Sequence, residues 1–183
     1  GWAYDGRSTT REDVIANKGG MVSRTRTLRD AWDRIVETDE QVTDSKWGIT
    51  RYQYDGNDNV RHITNADNLV TEMNHDWLSQ RLQIRRGQQI WHYSYDLNGN
   101  ITLLKQWGLK GITSVVVDDL DYKYLNTDFS NKLLSVKEIL VGNTDNKLGD
   151  FTDKNTTIDD YTYDNNGNLT TDKNKSITSI TYN

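Results

Sequence analysis

The chain has no cysteine and no proline, and only five glutamates and three histidines among its 183 residues. Without cysteine there can be no disulfides, thiolate zinc centres or cysteine nucleophiles. Proline ordinarily marks turns and sheet edges. Its absence from a turn-rich chain is unexpected, and composition gives no reason for it. No apolar run approaches the roughly 20 residues of a membrane-spanning helix, and the residues from Gly1 onward do not read as a signal peptide. Basic residues are outnumbered, 22 against 27 acidic, for a net charge of −5. That balance argues against nucleic-acid or anionic-membrane partners, and without an apolar run no membrane insertion is expected.

What is present points to strands and tight turns. The acidic residues comprise 22 aspartates and five glutamates. Asp and Asn favour turns because their short side chains bond nearby backbone amides, whereas Glu favours helices. Thr, Tyr, Val and Ile suit a pleated surface. Mean hydropathy is −0.86, polar for a globular chain. Aromatic residues still make up 10% of the sequence, too many for a typical disordered chain. The expected class is all-β, with little helix.

Eight of the ten tyrosines fall in Tyr-x-Tyr pairs: Tyr52/Tyr54, Tyr93/Tyr95, Tyr122/Tyr124 and Tyr161/Tyr163. Trp2/Tyr4 has the same spacing. Residues two apart share one face of a strand, so each pair predicts a two-ring patch. The pairs lead into Asp55-Gly-Asn-Asp-Asn59-Val, Asp96-Leu-Asn-Gly99-Asn100-Ile and Asp164-Asn-Asn-Gly167-Asn168-Leu. An Asp can cap a turn through its carboxylate, Gly or Asn tolerates positive φ, and the aliphatic residue opens a return strand. Each unit predicts a β-hairpin. Weaker copies surround Asp30, Asp76 (with His75 in the tyrosine slot) and Tyr122-Lys-Tyr124, whose return strand is expected at Lys132–Val136. The Asp positions 5, 30, 55, 76 and 96 lie 25, 25, 21 and 20 residues apart, one hairpin per period. About seven hairpins fill residues 1–183, laid edge to edge as a twisted antiparallel sheet.

These motifs resemble the YD-repeat (Rhs-repeat) family, whose repeats carry Tyr-Asp-x-x-Gly-(Asn/Arg)-(Leu/Ile/Val). The best copies here are Tyr95-Asp-Leu-Asn-Gly-Asn-Ile101 and Tyr163-Asp-Asn-Asn-Gly-Asn-Leu169. The stretch from Leu133 through Leu148-Gly-Asp-Phe151 to Tyr161 is similar to the longer spacer of Bacteroidetes-type members. The resemblance covers nearly the whole chain except Lys105 to Asp121 and Glu138 to Asp160. It implies a segment of a spiralling β-shell, as in insecticidal toxin complex B/C subunits and teneurins. The implied protein is bacterial and secreted or displayed on the cell surface, with this chain a fragment of its repeat region. Implied partners are the remaining repeats or a self-associating copy, a cargo toxin domain, or a surface glycan.

The chemistry-bearing residues give little ground for catalysis. His62, His75 and His92 stand in no nucleophile, triad or zinc motif. His62 alternates within Val60–Ile63 and is expected to face solvent, and His75 is expected to be a packing substitution. The acidic clusters Asp118/Asp119/Asp121 and Asp159/Asp160 could in principle hold the two carboxyls, roughly 5 to 10 Å apart, that a glycosidase needs. With 22 Asp in the chain, clusters of that kind arise by chance, and Asp118–Asp121 reads as a turn entering a strand. The Asp-x-x-Gly-Asn loops lack the distal Glu of calcium loops. We therefore expect no enzyme activity, no metal and no cofactor. Tyr and Trp could stack on sugar rings. The periodic tyrosines are expected to pack between hairpins, which leaves Trp47, Trp91 and Trp107, outside the period, as candidates for glycan stacking. Thr, Asn and Asp at alternate positions are expected to make the other face polar.

Overall fold

The computed structural model describes residues 2–4, 9–16, 22–43, 45–126, 129–139, 149–155 and 157–182, with side chains from Arg24 onward. Asp5 and residues 140–148 lie outside the described residues, as do the side chains of Trp2 and Tyr4. The chain is all-β, with no α-helix among the described residues. It divides into two compact units, Gly1–Ser79 and Gln80–Asn183.

The first unit is an antiparallel meander of seven strands: β1 (Trp2–Tyr4), β2 (Thr9–Ala16), β3 (Val22–Arg29), β4 (Ile35–Thr43), β5 (Lys46–Tyr54), β6 (Val60–Thr64) and β7 (Val70–His75). Each strand pairs with its sequence neighbour. The second unit contains β8 (Arg81–Arg86), β9 (Gln89–Tyr95), β10 (Ile101–Lys110), β11 (Thr113–Tyr124) and β12 (Leu133–Glu138) in one sheet. A two-stranded ribbon of β13 (Tyr161–Tyr163) and β14 (Leu169–Asp172) follows. In neither unit do the described pairings close a barrel. The expected hairpin meander is present.

A one-residue bulge recurs at the start of the return strands. The register steps from Leu28↔Glu37 to Arg29↔Ile35, leaving Val36 extra. The same step leaves Arg61 extra in β6, Thr102 in β10, Leu134 in β12 and Thr170 in β14. A bulge bends its strand, sharpens the local twist and disrupts the ladder beside it.

Face composition in the first unit departs from expectation. Thr27, Thr38 and Thr50 stand in one cross-strand row. Thr50 is two residues from Tyr52, so the threonines share the tyrosine face. Thr38 Oγ1 lies 3.5 Å from the Tyr52 hydroxyl. The opposite face carries charge and large side chains: Arg26↔Asp39↔Ile49 and Leu28↔Glu37↔Arg51. There Arg51 Nε meets Glu37 Oε2 at 2.8 Å, and the Arg26 guanidinium lies 3.9 Å over the Trp47 ring. Period 2 correctly placed each tyrosine pair on one face. It could not say which polar residues shared that face, because the register across three strands decides it.

Among the described residues the core is small and not aromatic: Met73 is the buried apolar residue in the first unit, and Val117, Leu120 and Val136 are those in the second. The eight paired tyrosines from Tyr52 to Tyr163 are half-buried, and Tyr182 is exposed. The second unit also buries polar groups: Asp118, Asp119, Ser135, Asp160, Asp172 and Asn174. Burying carboxylates is costly unless they are bonded, and the bonds are present. Asp160 Oδ2 accepts from Val136 N at 2.8 Å and its Oδ1 from Asn155 Nδ2 at 2.7 Å. Asp160 N in turn donates to Leu134 O at 2.8 Å. This one aspartate therefore ties the end of the 149–160 segment to β12 and leads into β13.

Candidate functional site

The recurring element is a five-residue corner with the same bonds in every clear copy. At Asp55, Oδ1 accepts from Asn57 N at 2.9 Å and Asn59 N at 3.0 Å, while Oδ2 accepts from Asn59 Nδ2 at 3.1 Å. Asp55 N donates to Asn59 O, and Asp58 N donates back to Asp55 O. The corners at Asp96 and Asp164 repeat this set, with Asn100 and Asn168 as the closing amides. The fourth residue has positive φ in each: +64° at Asp58, +84° at Gly99 and +87° at Gly167. These bonds favour the charged carboxylate. The Asn59 amide holds the Asp55 carboxyl below its ordinary range, and Asn168 does the same for Asp164.

Variants of the corner show which residue types fill each role. At Asp30 the closing residue is Arg34, whose Nε donates to Asp30 Oδ2 at 2.7 Å and whose Nη1 reaches Asp58 Oδ1 of the next corner at 2.6 Å. Asn65 builds an additional corner that the motif search did not recognise. Its Oδ1 accepts from Asp67 N and Leu69 N, and Asn68 takes the positive-φ place. Because Asn offers the same carbonyl oxygen as a carboxylate, Thr64–Asn68 folds like an Asp copy. Asp76 accepts from Leu78 N at 2.9 Å, with Ser79 at φ +63°.

The second tyrosine of each pair reaches a fixed target. Tyr54 donates its hydroxyl to Ile35 O at 2.7 Å, Tyr124 to Ile101 O at 2.8 Å and Tyr163 to Leu133 O at 2.9 Å. Each acceptor is the first residue of the preceding return strand, immediately before the extra residue of the bulge. Tyr95 bonds the carbonyl of Arg81, the first residue of β8, at 2.8 Å, and Tyr182 bonds Leu169 O, just before the bulge at Thr170, at 2.8 Å. The tyrosine is thus a clamp between successive hairpins, capping a carbonyl beside a disrupted ladder. Cations reinforce two clamps: Arg34 lies 4.7 Å from the Tyr54 ring and Lys132 Nζ 5.6 Å from the Tyr163 ring. Burial raises the phenol pKa of Tyr54, Tyr93, Tyr122, Tyr124, Tyr161 and Tyr163 above the ordinary value. Tyr122 also feels Tyr124, Asp118, Tyr161 and Tyr93, which places the rings of successive hairpins within electrostatic range of one another.

The clustered acids are tied into the fold. Asp118–Asp121 lies within β11, correcting the expectation of a turn. Asp118 Oδ1 accepts from Phe151 N at 2.7 Å, Lys105 Nζ meets Asp119 Oδ2 at 2.6 Å, and Lys123 Nζ lies 3.1 Å from Asp121. Lys173 pairs with Asp159 at 3.2 Å. Asp118, Glu138 and Asp150 bring one carboxylate oxygen each within 4.8 Å of one another, an arrangement that could hold a cation. Three such oxygens fall short of the six to eight that calcium takes. Asp118 and Glu138 also each give an oxygen to a backbone amide, that of Phe151 and of Asp119.

Of the tryptophans singled out from sequence, Trp47 lies half-buried beneath Arg26. Trp107 is half-buried beside His92, at 5.0 Å between ring centroids, with Lys105 Nζ 5.5 Å away. Trp91 is half-buried in β9 opposite Gln106. Among the described residues, the strongly exposed indoles are Trp32 at 76% and Trp77 at 82%. Both stand at the tips of corners, where sequence reasoning did not look. His62 is half-buried rather than solvent-facing, in register with Gln53 and Glu72, and its Nδ1 is buried without a hydrogen-bond partner. His75 Nδ1 is in the same state. Compared with family models and with curated proteins, the chain matches none.

Proposed function

We propose that this chain is a non-catalytic structural repeat module of a secreted or cell-surface protein of the YD-repeat kind, acting as part of a β-shell or scaffold. The observation that carries this reading is the clamp. Five tyrosine hydroxyls, Tyr54, Tyr95, Tyr124, Tyr163 and Tyr182, each bond the opening carbonyl of the hairpin before. The motif's polar atoms are consumed in building corners and joining neighbours, as a repeat array stabilised by nearest-neighbour contacts requires. Asp118, Asp119, Asp121, Asp159 and Asp160 are likewise engaged with lysines and backbone amides, whereas acid–base catalysis needs a group left to meet substrate.

The test is made on the native protein in its source cells. Antibodies raised against this chain should detect it in the surface or culture-medium fraction. There it should resist proteinase K until denatured, as a continuous hydrogen-bonded sheet does. Detection in the cytoplasm alone, or rapid digestion of the native material, would refute the reading.

A further inference from the structure

Strand β4 sets two acids on one face. In Glu37-Thr38-Asp39, Thr38 turns to the tyrosine side, so Glu37 and Asp39 both stand on the other. Their backbones lie roughly 7 Å apart along the strand, near enough for the two carboxyls to meet. The cations beside them are not divided evenly. Arg51 Nε binds Glu37 Oε2 at 2.8 Å and fixes that carboxylate in place. Arg26, the register partner of Asp39, lays its guanidinium 3.9 Å over the Trp47 ring. On its other flank Asp39 meets Ile49. Asp39 Oδ1 is buried and has no hydrogen-bond partner.

An ionised oxygen shut away from water without a donor is costly, and a like charge beside it adds to the cost. A protonated carboxyl at the same place has neither problem, because its O–H donates to the neighbouring carboxylate. The Asp39 carboxyl lies within hydrogen-bonding reach of Glu37. Burial first, and then the charge of Glu37, push it above the ordinary 3.8, against the pull of Arg26 and Arg51. The charged groups facing the pair are these two arginines, on β3 and β5, with Arg24 two residues from Arg26 on the same face. One strand farther out, Glu12 on β2 stands in register with Arg26 and Thr64 on β6 with Arg51.

We propose that Glu37 and Asp39 bind one proton between them, carried by Asp39 and donated to the Glu37 carboxylate, which makes the charged face of the first unit a proton-sensitive seam across β3, β4 and β5. Two carboxyls in contact cannot both ionise freely, so the pair titrates as a unit. The folded chain holds this proton more tightly than the unfolded chain does. The pair therefore weakens the fold at neutral pH, and that penalty is relieved as pH falls through the folded pKa towards 3.8. The corner acid Asp55 acts the other way. The Asn59 amide holds its carboxyl below 3.8, so its contribution is present above 3.8 and is lost as pH falls through the folded pKa. The two windows adjoin at 3.8 and do not overlap.

Carbon-13 NMR of the full chain, labelled at its aspartate and glutamate carboxyls, reads the proton directly as pH is lowered from about 7 to about 3. The Asp39 carbon should titrate with a midpoint above 3.8, and the Glu37 carbon should show a step at the same pH. Each unit above 3.8 is a tenfold tighter hold on the proton. Glu37→Gln removes the facing charge and should bring the Asp39 midpoint down. Asp39→Asn keeps the shape of the protonated acid and a donor for Glu37. It should melt at a higher temperature than the parent at about pH 7, by a margin that shrinks as pH falls towards 3.8. The inference is overturned if the Asp39 midpoint lies at or below 3.8, or if Glu37→Gln leaves it in place. It is also overturned if the margin of Asp39→Asn over the parent is absent or independent of pH.

Discussion

Replacing Tyr124 by Phe removes one oxygen and leaves the ring. The lost contact is a neutral hydrogen bond of 2.8 Å to Ile101 O. A bond of that kind contributes about 0.5 to 1.5 kcal/mol net, because the unfolded chain satisfies both groups with water. The carbonyl left behind sits beside the bulge at Thr102. We expect Tyr124→Phe to cost about 1 kcal/mol in urea unfolding followed by tryptophan fluorescence, with an unchanged m value. If the second unit, Gln80–Asn183, unfolds by itself, the melting temperature should fall by about 4 to 8 °C per kcal/mol, and by about 2 to 4 °C if the whole chain unfolds together. Tyr122→Phe is the matched control. That ring belongs to the same pair and the same strand, but its hydroxyl makes no bond to a bulge carbonyl, so its loss should cost less than about 0.5 kcal/mol. Equal costs for the two variants would show that the clamp hydroxyl adds nothing beyond ring packing. The repeat-joining role assigned to it would then fail.

Two further outcomes follow from the same geometry. Gly99 has φ +84°, so Gly99→Ala should destabilise by about 1 kcal/mol, the usual cost of forcing an L side chain into that region. Gly99→Asp should cost less, because Asp33 and Asp58 already hold the equivalent place at +65° and +64°; a reversed order in thermal melts would refute the slot assignment. The six tyrosines whose burial raises their pKa add an alkaline limit. A group with a folded pKa above its unfolded value of 10.0 stabilises fully below that pH and loses its contribution as pH rises through the folded pKa. Melting temperature should therefore drop steeply above pH 10, as phenolate absorbance rises. Phenolate appearing well below pH 10 with the fold intact would contradict the burial.

The hairpin order, the one-sided tyrosine pairs and the Asp corners were legible in the sequence, because local bonding and a period of two specify them. The targets of the tyrosine hydroxyls were not. Ile35 lies 19 residues before Tyr54 and Leu133 lies 30 before Tyr163, and nothing local marks a carbonyl as the one next to a bulge. Asp118–Asp121 was misread because several aspartates in a row signal a turn on composition alone. Here Lys105 and Phe151 supply the partners that let them stay in a strand. The exposed tryptophans were missed for a related reason. Departure from the period singled out Trp47, Trp91 and Trp107, but exposure depends on what covers a ring, and Arg26 and His92 cover two of these. Trp32 and Trp77 sit inside the period, at corner tips, where they stay 76% and 82% exposed even with the Arg34 guanidinium 5.0 Å over the Trp32 ring.

The corner also bears on the missing proline. In Asp96–Asn100, the nitrogens of residues 96, 98, 99 and 100 all donate hydrogen bonds, and residue 99 turns to the left-handed side. An imino acid has no proton to donate and is locked at negative φ, so only the second place, that of Leu97, could accept one. The strands on either side need their amides for pairing. A chain assembled from such corners and ladders has almost nowhere to put an imino acid.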